Sequence, residues 1–274
     1  YAPTQPLHVA KQTGLVFVKD RRSSQEIAKE WSDKVFSNKM SQTTYTSRIP
    51  IMRSRHFLVA DTADMVFELS DKRICDIGAG EGEFLRMCSK YFAAIPYGVE
   101  PSSTNCAGMT EAGIMNFTGT AEKFSEAYNG ELFDAVFLTW TLCNCSSAVK
   151  VISAAKKILK PGGRIVIGES SRILVPFKKP LFNVYSDLTK SYLHPWYFSA
   201  NTLCTLLRSF KLGIEYINRY YDQNDLIVIA RKNEQEEPFV LDDYNKVIDY
   251  FERWHTETKF YFEYTEKNRQ VIEE

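Results

Sequence analysis

The stretch ICDIGAGEGEF, residues Ile74–Phe84, decides the fold of this chain. Apolar residues lead into Asp76, and glycines then alternate with small or acidic residues at positions 78, 80 and 82. A glycine turn directly after a strand lets the backbone approach a nucleotide ligand where the next helix begins. The stretch therefore predicts a strand, a ligand-binding turn and a helix, which together open a doubly wound α/β fold.

Strand-like and helical segments alternate through most of the chain. Five segments are rich in apolar residues over strand length: RICDIGA, IPYGVEP, FDAVFLTW, GRIVIGE and DLIVIAR. Helical patterns lie between them at Glu83–Tyr91, Thr104–Ala112 and Ser147–Leu159. Apolar strands that alternate with helices are typical of a parallel sheet covered on both faces. FKLGIEYINRYYDQ predicts a late hairpin, so we expect a mostly parallel, seven-stranded, Rossmann-like sheet with an antiparallel strand.

Three units are expected along the chain. Residues 1–52 form a hairpin around Gly14, where LHVAKQTGLVFV supplies two apolar runs, and then a helical segment. Residues 53–232 form the α/β domain, which opens with a helix over Arg53–Leu69. Residues 233–274 form a short acidic helical extension, whose apolar face predicts packing on the chain or homodimerisation. That face carries Tyr244, Val247, Ile248, Phe251 and Trp254.

The composition argues against several classes of function. The 274 residues include 34 Lys and Arg and 34 Asp and Glu, so no net charge attracts the chain to nucleic acid or to an anionic membrane. No apolar run approaches the ~20 residues of a membrane-spanning helix. The six cysteines lack the spacing of a disulfide framework or a zinc site, which predicts free thiols, no bound metal and a cytoplasmic location.

The glycine turn fits one class of nucleotide better than the others. Glu83 stands where the dinucleotide fingerprint G-x-G-x-x-G has its third glycine, and no Gly-Lys-Ser/Thr follows the turn. Asp76, Glu81 and Glu83 would repel a pyrophosphate, whereas they favour a ligand with a positive charge. S-adenosylmethionine fits these residues, because it carries a sulfonium and an ammonium group and no phosphate.

The α/β region resembles the class I S-adenosylmethionine-dependent methyltransferases. CDIGAGEGEF is similar to the first motif of that family, and Glu100 in YGVEPS to its ribose-binding acid. GTAEKF is similar to the loop at the adenine, FDAVFLTWTL to the fourth strand and ILKPGGRIVIGE to the fifth. The resemblance implies S-adenosylmethionine as cofactor, contacted by Asp76, Gly78, Ala79, Gly80, Glu100, Pro101, Thr120, Ala121, Glu122, Thr139 and Trp140.

The acceptor is expected to meet the segment SSRILVPFKKPLFNVYSDLTKSYLHPWYFSANTL, between the fifth strand and the next helix. In this sheet order, such an insert lies over the carboxyl ends of the strands, where ligands bind. Aromatic faces stack on sugars and cations pair with phosphate, so the segment suits a phosphorylated sugar. The candidate acceptor-binding residues are Arg172, Lys178, Lys179, Tyr185 and Trp196.

His194 is the first candidate for the general base, because an imidazole can take a proton from a hydroxyl or from an acidified carbon. Tyr192 and Tyr197 are the alternatives. HPWYFSANTL is similar to a narrower group, the sugar C-methyltransferases and related surface-glycan enzymes. Members of that group have a zinc module, whose cysteine positions correspond here to Ala10 and Thr13, and a large C-terminal domain in place of the short acidic helix. Both O- and C-methylation therefore stay open.

The sequence predicts a methyltransferase whose acceptor is a small molecule: a sugar, a sugar nucleotide or a glycan. Two other classes of protein stay open. One is a non-catalytic protein that binds the cofactor and regulates or scaffolds a partner through its C-terminal helix. The other is an NAD-dependent oxidoreductase, which the acids around the glycine turn disfavour.

Overall fold

The computed structural model of the protein describes residues 7–30, 41–169, 173–174, 194–218, 225–253 and 256, with the backbone alone for residues 30 and 41–51. The described strands are β1 (Leu7–Val9), β2 (Val16–Val18), β3 (Arg73–Ile77), β4 (Ile95–Glu100), β5 (Met115–Thr118), β6 (Phe133–Thr139), β7 (Leu159–Glu169), β8 (Trp196–Tyr197), β9 (Leu212–Ile217) and β10 (Leu226–Lys232). The described helices are α1 (Ser24–Glu30), α2 (Ser41–Phe67), α3 (Glu83–Phe92), α4 (Ser103–Glu111), α5 (Ala121–Ala127), α6 (Ala148–Lys157), α7 (Ala200–Ser209) and α8 (residues 244–253).

Seven strands form the central sheet in the order β5-β4-β3-β6-β7-β10-β9. Neighbours from β5 to β7 are parallel, and β10 runs antiparallel between β7 and β9. The chain builds outward from β3 through β4 to β5 and then returns to β6 on the other side. A crevice forms at the carboxyl ends of β3 and β6, where the order reverses. The predicted mostly parallel sheet with a late antiparallel hairpin is confirmed.

Both faces of this sheet are buried. Along β6, Ala135 and Phe137 join the apolar cluster under α2, α3 and α4, while Val136 and Leu138 join the one under α5, α6 and α7. The alternation follows from the strand period of two residues. Each fully buried side chain as large as valine, leucine or phenylalanine stabilises the fold by ~2 kcal/mol. The strand ends are therefore held on a rigid base.

Several boundaries differ from the predicted ones. β5 was not among the predicted strands, because its four residues are at most partly buried and carry no apolar run. α2 begins at Ser41 rather than Arg53. α6 ends at Lys157 rather than Leu159, because Leu159 already pairs with Phe133 as the first residue of β7.

A second sheet of three strands has the order β1-β2-β8. The predicted hairpin forms β1 and β2 and turns at Gly14, whose φ is +71°. Phe17 of β2 pairs with Trp196 of β8. Val247 of α8 is fully buried in the apolar cluster of this sheet, which it shares with Val16, Ile173 and Tyr197. The described part of α8 therefore packs on its own chain. Homodimerisation and the division into three units stay predictions.

No helix within the described ranges combines the length and the apolar character needed to cross a membrane. The cytoplasmic location stays a prediction.

Candidate functional site

A cavity opens at the carboxyl ends of β3, β4 and β6, beside the point where the strand order reverses. Three strand ends supply much of its wall: Asp76–Gly80, Val99–Pro101 and Thr139–Thr141. Residues of α1 and α2 and the segment Asn144–Ser146 line it as well. The strand ends singled out in the sequence therefore meet around one space.

Gly78 occupies the tightest point of the glycine turn. Its φ is +79°, which residues with side chains disfavour, and a Cβ there would overlap the side chain of Thr141. The turn is fixed to β4, because the N–H groups of Gly78 and Ala79 both donate to the carbonyl of Val99, at 2.8 and 3.2 Å. Any side chain at position 78 would therefore distort the turn.

Glu100 joins the glycine turn to the end of β4. Its Oε2 accepts a hydrogen bond from the N–H of Gly80 and its Oε1 from the N–H of Ser102, both at 2.9 Å. The residue is 5% exposed, and burial raises the pKa of its carboxyl. A carboxylate has lone pairs beyond these two bonds. Glu100 can therefore accept further hydrogen bonds from a pair of hydroxyls in the cavity.

Asp76 is a second buried acid at this edge of the sheet. Its Oδ1 accepts a hydrogen bond from the hydroxyl of Thr139 at 3.4 Å. Burial raises the pKa of its carboxyl well above the usual range, and the neighbouring Glu100 adds to the effect. A cation close to a buried acid favours the ionised form. The two acids therefore suit a ligand with hydroxyl and cationic groups and disfavour phosphate.

The loop after β5 borders the cavity through Gly119–Glu122. The N–H of Gly119 donates to the carbonyl of Glu100 at 3.0 Å, and Thr120 caps α5 by accepting from the N–H of Lys123 at 3.4 Å. Every cofactor-contacting residue predicted from the sequence lines this one cavity. Their roles in binding stay a proposal.

Aromatic side chains form another wall of the cavity. Trp140 follows β6 with a φ of +56°, a strained value for a residue with a side chain. Its backbone N–H donates to the carbonyl of Gly168 at 2.7 Å. The rings of Trp140 and His56 have centroids 5.2 Å apart, and His56 meets Phe84 edge-on at 5.6 Å. Backbone strain of this kind is typical of functional sites.

An ion pair supports this aromatic wall from behind. The guanidinium of Arg55 lies 4.4 Å from the centre of the Trp140 ring. It also donates two hydrogen bonds, of 2.8 and 2.7 Å, to the carboxylate of Asp225, just before β10. Because the fork of Arg matches a carboxylate, the pair fixes α2 against β10 and Trp140 against both.

The sequence analysis missed His56 and Met52, the residues of α2 that line the cavity. They are four positions apart, so they lie on one side of the helix. The buried residues Val59, Ala60 and Ala63 continue that side toward the core. This helical period is the signal in the sequence that could have indicated His56.

Hydrogen bonds tie the N-terminal segment to the rim of the cavity. The Ser24 and Ser146 hydroxyls lie 2.9 Å apart, and the Nε of Arg21 donates to the carbonyl of Ser146 at 3.0 Å. The Nε1 of Trp196 donates to the carbonyl of Cys145 at 2.8 Å. Helix α1 therefore forms part of the cavity wall, and Trp196 of the small sheet supports the segment next to it.

The described residues among the predicted catalytic and acceptor candidates do not line this cavity. His194 and Tyr197 stack on each other with centroids 6.2 Å apart, and neither lines the described cavity. Burial lowers the pKa of His194 to about 4. Trp196 lies in β8 and supports the rim. The remaining candidates, Arg172, Lys178, Lys179, Tyr185 and Tyr192, lie outside the described residues. All these roles stay predictions.

A family model described as a methyltransferase domain matches residues 51–215. The chain belongs to this methyltransferase family. A demethylmenaquinone methyltransferase of Tropheryma whipplei (strain Twist) is 28% identical over 110 residues, which are 39% of this chain and 46% of that protein. A protein of the same name from Clavibacter sepedonicus is 28% identical over 164 residues, 57% of this chain and 61% of that protein. The chain thus spans less than two thirds of these curated relatives.

Solved structures of methyltransferases have the same fold. Geranyl diphosphate C-methyltransferase from Streptomyces coelicolor A3(2), in complex with Mg²⁺, geranyl diphosphate and S-adenosyl-L-homocysteine, matches with a TM-score of 0.55. The match covers 77% of this chain and 98% of that one at 12% identity. At this identity the likeness shows the fold alone.

The family confirms the predicted class I methyltransferase domain, and its cofactor is S-adenosylmethionine. The described residues fit this molecule, because the buried acids Asp76 and Glu100 lie beside a glycine turn that has no room for a side chain at Gly78. The narrower resemblance to sugar and glycan enzymes stays a prediction, since the curated relatives carry the name of a quinone pathway step.

Proposed function

We propose that the protein transfers the methyl group of S-adenosylmethionine to a small organic acceptor. The observation that carries this proposal is one cavity whose wall combines Asp76 and Glu100 with the aromatic pair His56 and Trp140. The acids suit a ribose diol and a cationic amino acid part, and the aromatic rings suit a less polar molecule.

In this proposal Glu100 accepts hydrogen bonds from the ribose hydroxyls, and the Gly78–Gly80 backbone contacts the methionine part. Residues 120–122 border the adenine. When bound, S-adenosylmethionine supplies a methyl group on a positively charged sulfur. The protein contributes alignment of the acceptor atom with that methyl group and removal of a proton from the acceptor.

The finer proposal for the acceptor is the sugar, sugar nucleotide or glycan predicted from the sequence, methylated on oxygen or carbon. A phosphate on it would depend on Arg172, Lys178 and Lys179, because the described lining of the cavity contains no lysine or arginine. The names of the curated relatives support a second candidate, methylation of a quinone-type aromatic ring. The aromatic wall suits a neutral planar ring as well as the face of a sugar.

Calorimetry tests the cofactor half of the proposal. We expect the purified chain to bind S-adenosylhomocysteine and not NAD. Binding of NAD alone, or of neither compound, would contradict the proposal.

A labelling assay tests the acceptor half. Methyl-labelled S-adenosylmethionine is incubated with a nucleotide sugar, a neutral methyl glycoside and a hydroquinone in parallel. Label in a sugar supports the finer proposal, and label in the hydroquinone ring supports the second candidate. Binding of S-adenosylhomocysteine without label in any acceptor would favour the non-catalytic, cofactor-binding class of protein.

A further inference from the structure

We propose that His56 contacts the acceptor and takes up its proton during methyl transfer, an inference that rests on the proposed methyltransferase function. His56 and Met52 reach the cavity from α2, which the sequence motifs of the cofactor site do not include. They share that cavity with Gly78 and Glu100, whereas His194 is not part of its described wall. Position thus favours His56 over His194 as the base.

Two aromatic neighbours fix the orientation of the His56 ring. Phe84 packs edge-on against it with centroids 5.6 Å apart, and Trp140 lies tilted at 5.2 Å. Trp140 is itself fixed by its backbone bond to Gly168 and by the guanidinium of Arg55. A base that is held in one orientation needs little rearrangement to meet the proton of an aligned acceptor.

Two polar atoms of the aromatic wall lack hydrogen-bond partners within the described structure. The Nδ1 of His56 and the Nε1 of Trp140 are both buried without a hydrogen bond. Leaving a buried polar atom unpaired destabilises the fold, so such atoms are uncommon outside functional sites. Both residues line the cavity, and a hydroxyl can donate to an imidazole nitrogen or accept from an indole N–H, so an acceptor hydroxyl can supply the partner that either side chain lacks.

The charges around His56 keep its imidazole neutral. Burial, and after it the neighbouring Arg55, lower the pKa of His56 to about 4, while Glu83 of α3 opposes the shift. Glu83 is itself paired with Arg53 at 2.8 Å and Arg86 at 3.2 Å, which limits its effect. At neutral pH the ring is therefore in the form that can receive a proton.

The proton transfer balances the charge of the reaction. As the acceptor oxygen bonds to the methyl carbon, the electron pair of the carbon–sulfur bond goes to sulfur. The proton of the acceptor hydroxyl passes to His56, so the positive charge that sulfur loses appears on the imidazole. For an aromatic-ring acceptor, the ring hydroxyl gives its proton to His56 while the ring carbon forms the new bond. The hydrogen on that carbon then leaves as a proton and the ring oxygen takes one up, which restores the aromatic ring. In both cases His56 then releases the proton to solvent.

Nuclear magnetic resonance tests the position of His56 without any acceptor. The imidazole resonance is assigned by its loss in His56→Asn and followed while S-adenosylmethionine or S-adenosylhomocysteine is added to the full chain. We expect a shift with both compounds and a different shift with the charged sulfonium. Calorimetric binding of both without any shift at His56 would overturn the proposal while leaving the cofactor site intact.

Steady-state kinetics, measured with the acceptor that takes up label, test the role of His56 in proton transfer. We expect kcat to fall at least ~100-fold in His56→Asn and His56→Gln, the usual contribution of a general base. The dissociation constant of S-adenosylhomocysteine and the melting temperature should stay close to wild type. The matched control is His8→Asn in β1, which should keep wild-type kcat, because His8 stacks on Phe17 away from the cavity.

Two outcomes separate this proposal from the proposed function. Full kcat in both His56 variants, or a large loss in His194→Asn alone, would overturn the role of His56 and leave methyl transfer in place. Failure of wild type to bind S-adenosylhomocysteine would instead overturn the proposed function itself, together with the role that rests on it.

Discussion

Two parts of the cavity wall are built differently. The cofactor side consists of the glycine turn and the strand ends, and the covering side consists of α1, α2 and the segment Asn144–Ser146. On the cofactor side, Glu100 accepts from the N–H of Gly80, only 20 positions away in the sequence. On the covering side, Arg21 reaches Ser146 across 125 positions, and Arg55 reaches Asp225 across 170. The cofactor side therefore depends on the ends of adjacent strands, and the covering side depends on contacts between distant parts of the chain.

This difference explains why the cofactor side is common to many proteins of this fold, whereas the covering side belongs to the particular protein. A strand–turn–helix unit with a nearby strand end can hold the same cofactor in many proteins. The covering side is formed by loops and terminal segments, where a shared fold acquires its particular chemistry. The substitutions below separate the two sides, beginning with the largest expected effect.

Glu100→Ala should abolish cofactor binding. Two hydrogen bonds from ribose to a buried carboxylate contribute ~3–6 kcal/mol together, so the affinity for S-adenosylhomocysteine should fall at least ~100-fold. Calorimetry measures the change, and a thermal melt checks that the fold survives. The control is Glu111→Ala, an exposed acid in α4, which should bind normally. Unchanged affinity in Glu100→Ala would remove the main support for the cofactor side as described.

Arg55→Ala should destabilise the protein far more than Arg53→Ala, although both residues belong to α2. Asp225 has a side-chain exposure of 8%, and losing its partner leaves a buried charge unpaired, which costs ~3 kcal/mol. The pair of Arg53 with Glu83 is exposed by 63% and 36%, so its loss should cost ~0.5 kcal/mol. Urea unfolding gives both values. Equal losses would show that the long-range pair contributes little to the covering side.

Glu169→Gln should change how stability depends on pH. Glu169 is fully buried at the end of β7, where its Oε1 accepts from the N–H of Cys143 at 3.0 Å. Burial raises the pKa of its carboxyl from 4.5 to about 7. The folded state therefore binds this proton more tightly than the unfolded state, and the stability it provides is present below pH 4.5 and lost as the pH rises through 7.

Relative to Glu169→Gln, the wild type should lose ~3 kcal/mol across that range. His56 and His194, whose pKa values are lowered to about 4, change stability in the opposite direction, but they do so equally in both proteins. Denaturant unfolding at several pH values measures the difference between the two. A constant difference would mean that Glu169 titrates normally.

Trp140→Gly should be more stable than Trp140→Ala by ~1 kcal/mol. Both variants remove the indole from the wall of the cavity, but glycine adopts the positive φ of 56° at this position without the cost that alanine carries. The two unfolding free energies, measured side by side, give the strain at this position. Equal stabilities would indicate that the backbone relaxes once the indole is gone.

The sequence predicted the cofactor side in detail and the covering side poorly. Asp76, Glu100 and Trp140 could be placed because they lie at the ends of apolar strands, and the carboxyl ends of parallel strands meet at one edge. Residues 120–122 follow a strand without an apolar run, and only the family resemblance indicated them. His56 could not be placed that way, because it lies on a helix. The helical period of its neighbours indicates which side of α2 is buried, but not which strand ends that side meets. The base was sought instead at His194, near the expected acceptor segment, and that assignment stays a prediction.

The sequence by itself determined the apolar strands, the mostly parallel sheet that they form and the kind of cofactor, because these follow from local apolar period, glycine positions and charge. Only the tertiary structure decided that Trp140 takes a positive φ, that Arg55 pairs with Asp225, and that His56 lines the same cavity as Gly78 and Glu100. These contacts depend on how distant segments pack. Packing is set by the shape and volume of whole surfaces, which no single stretch of residues contains.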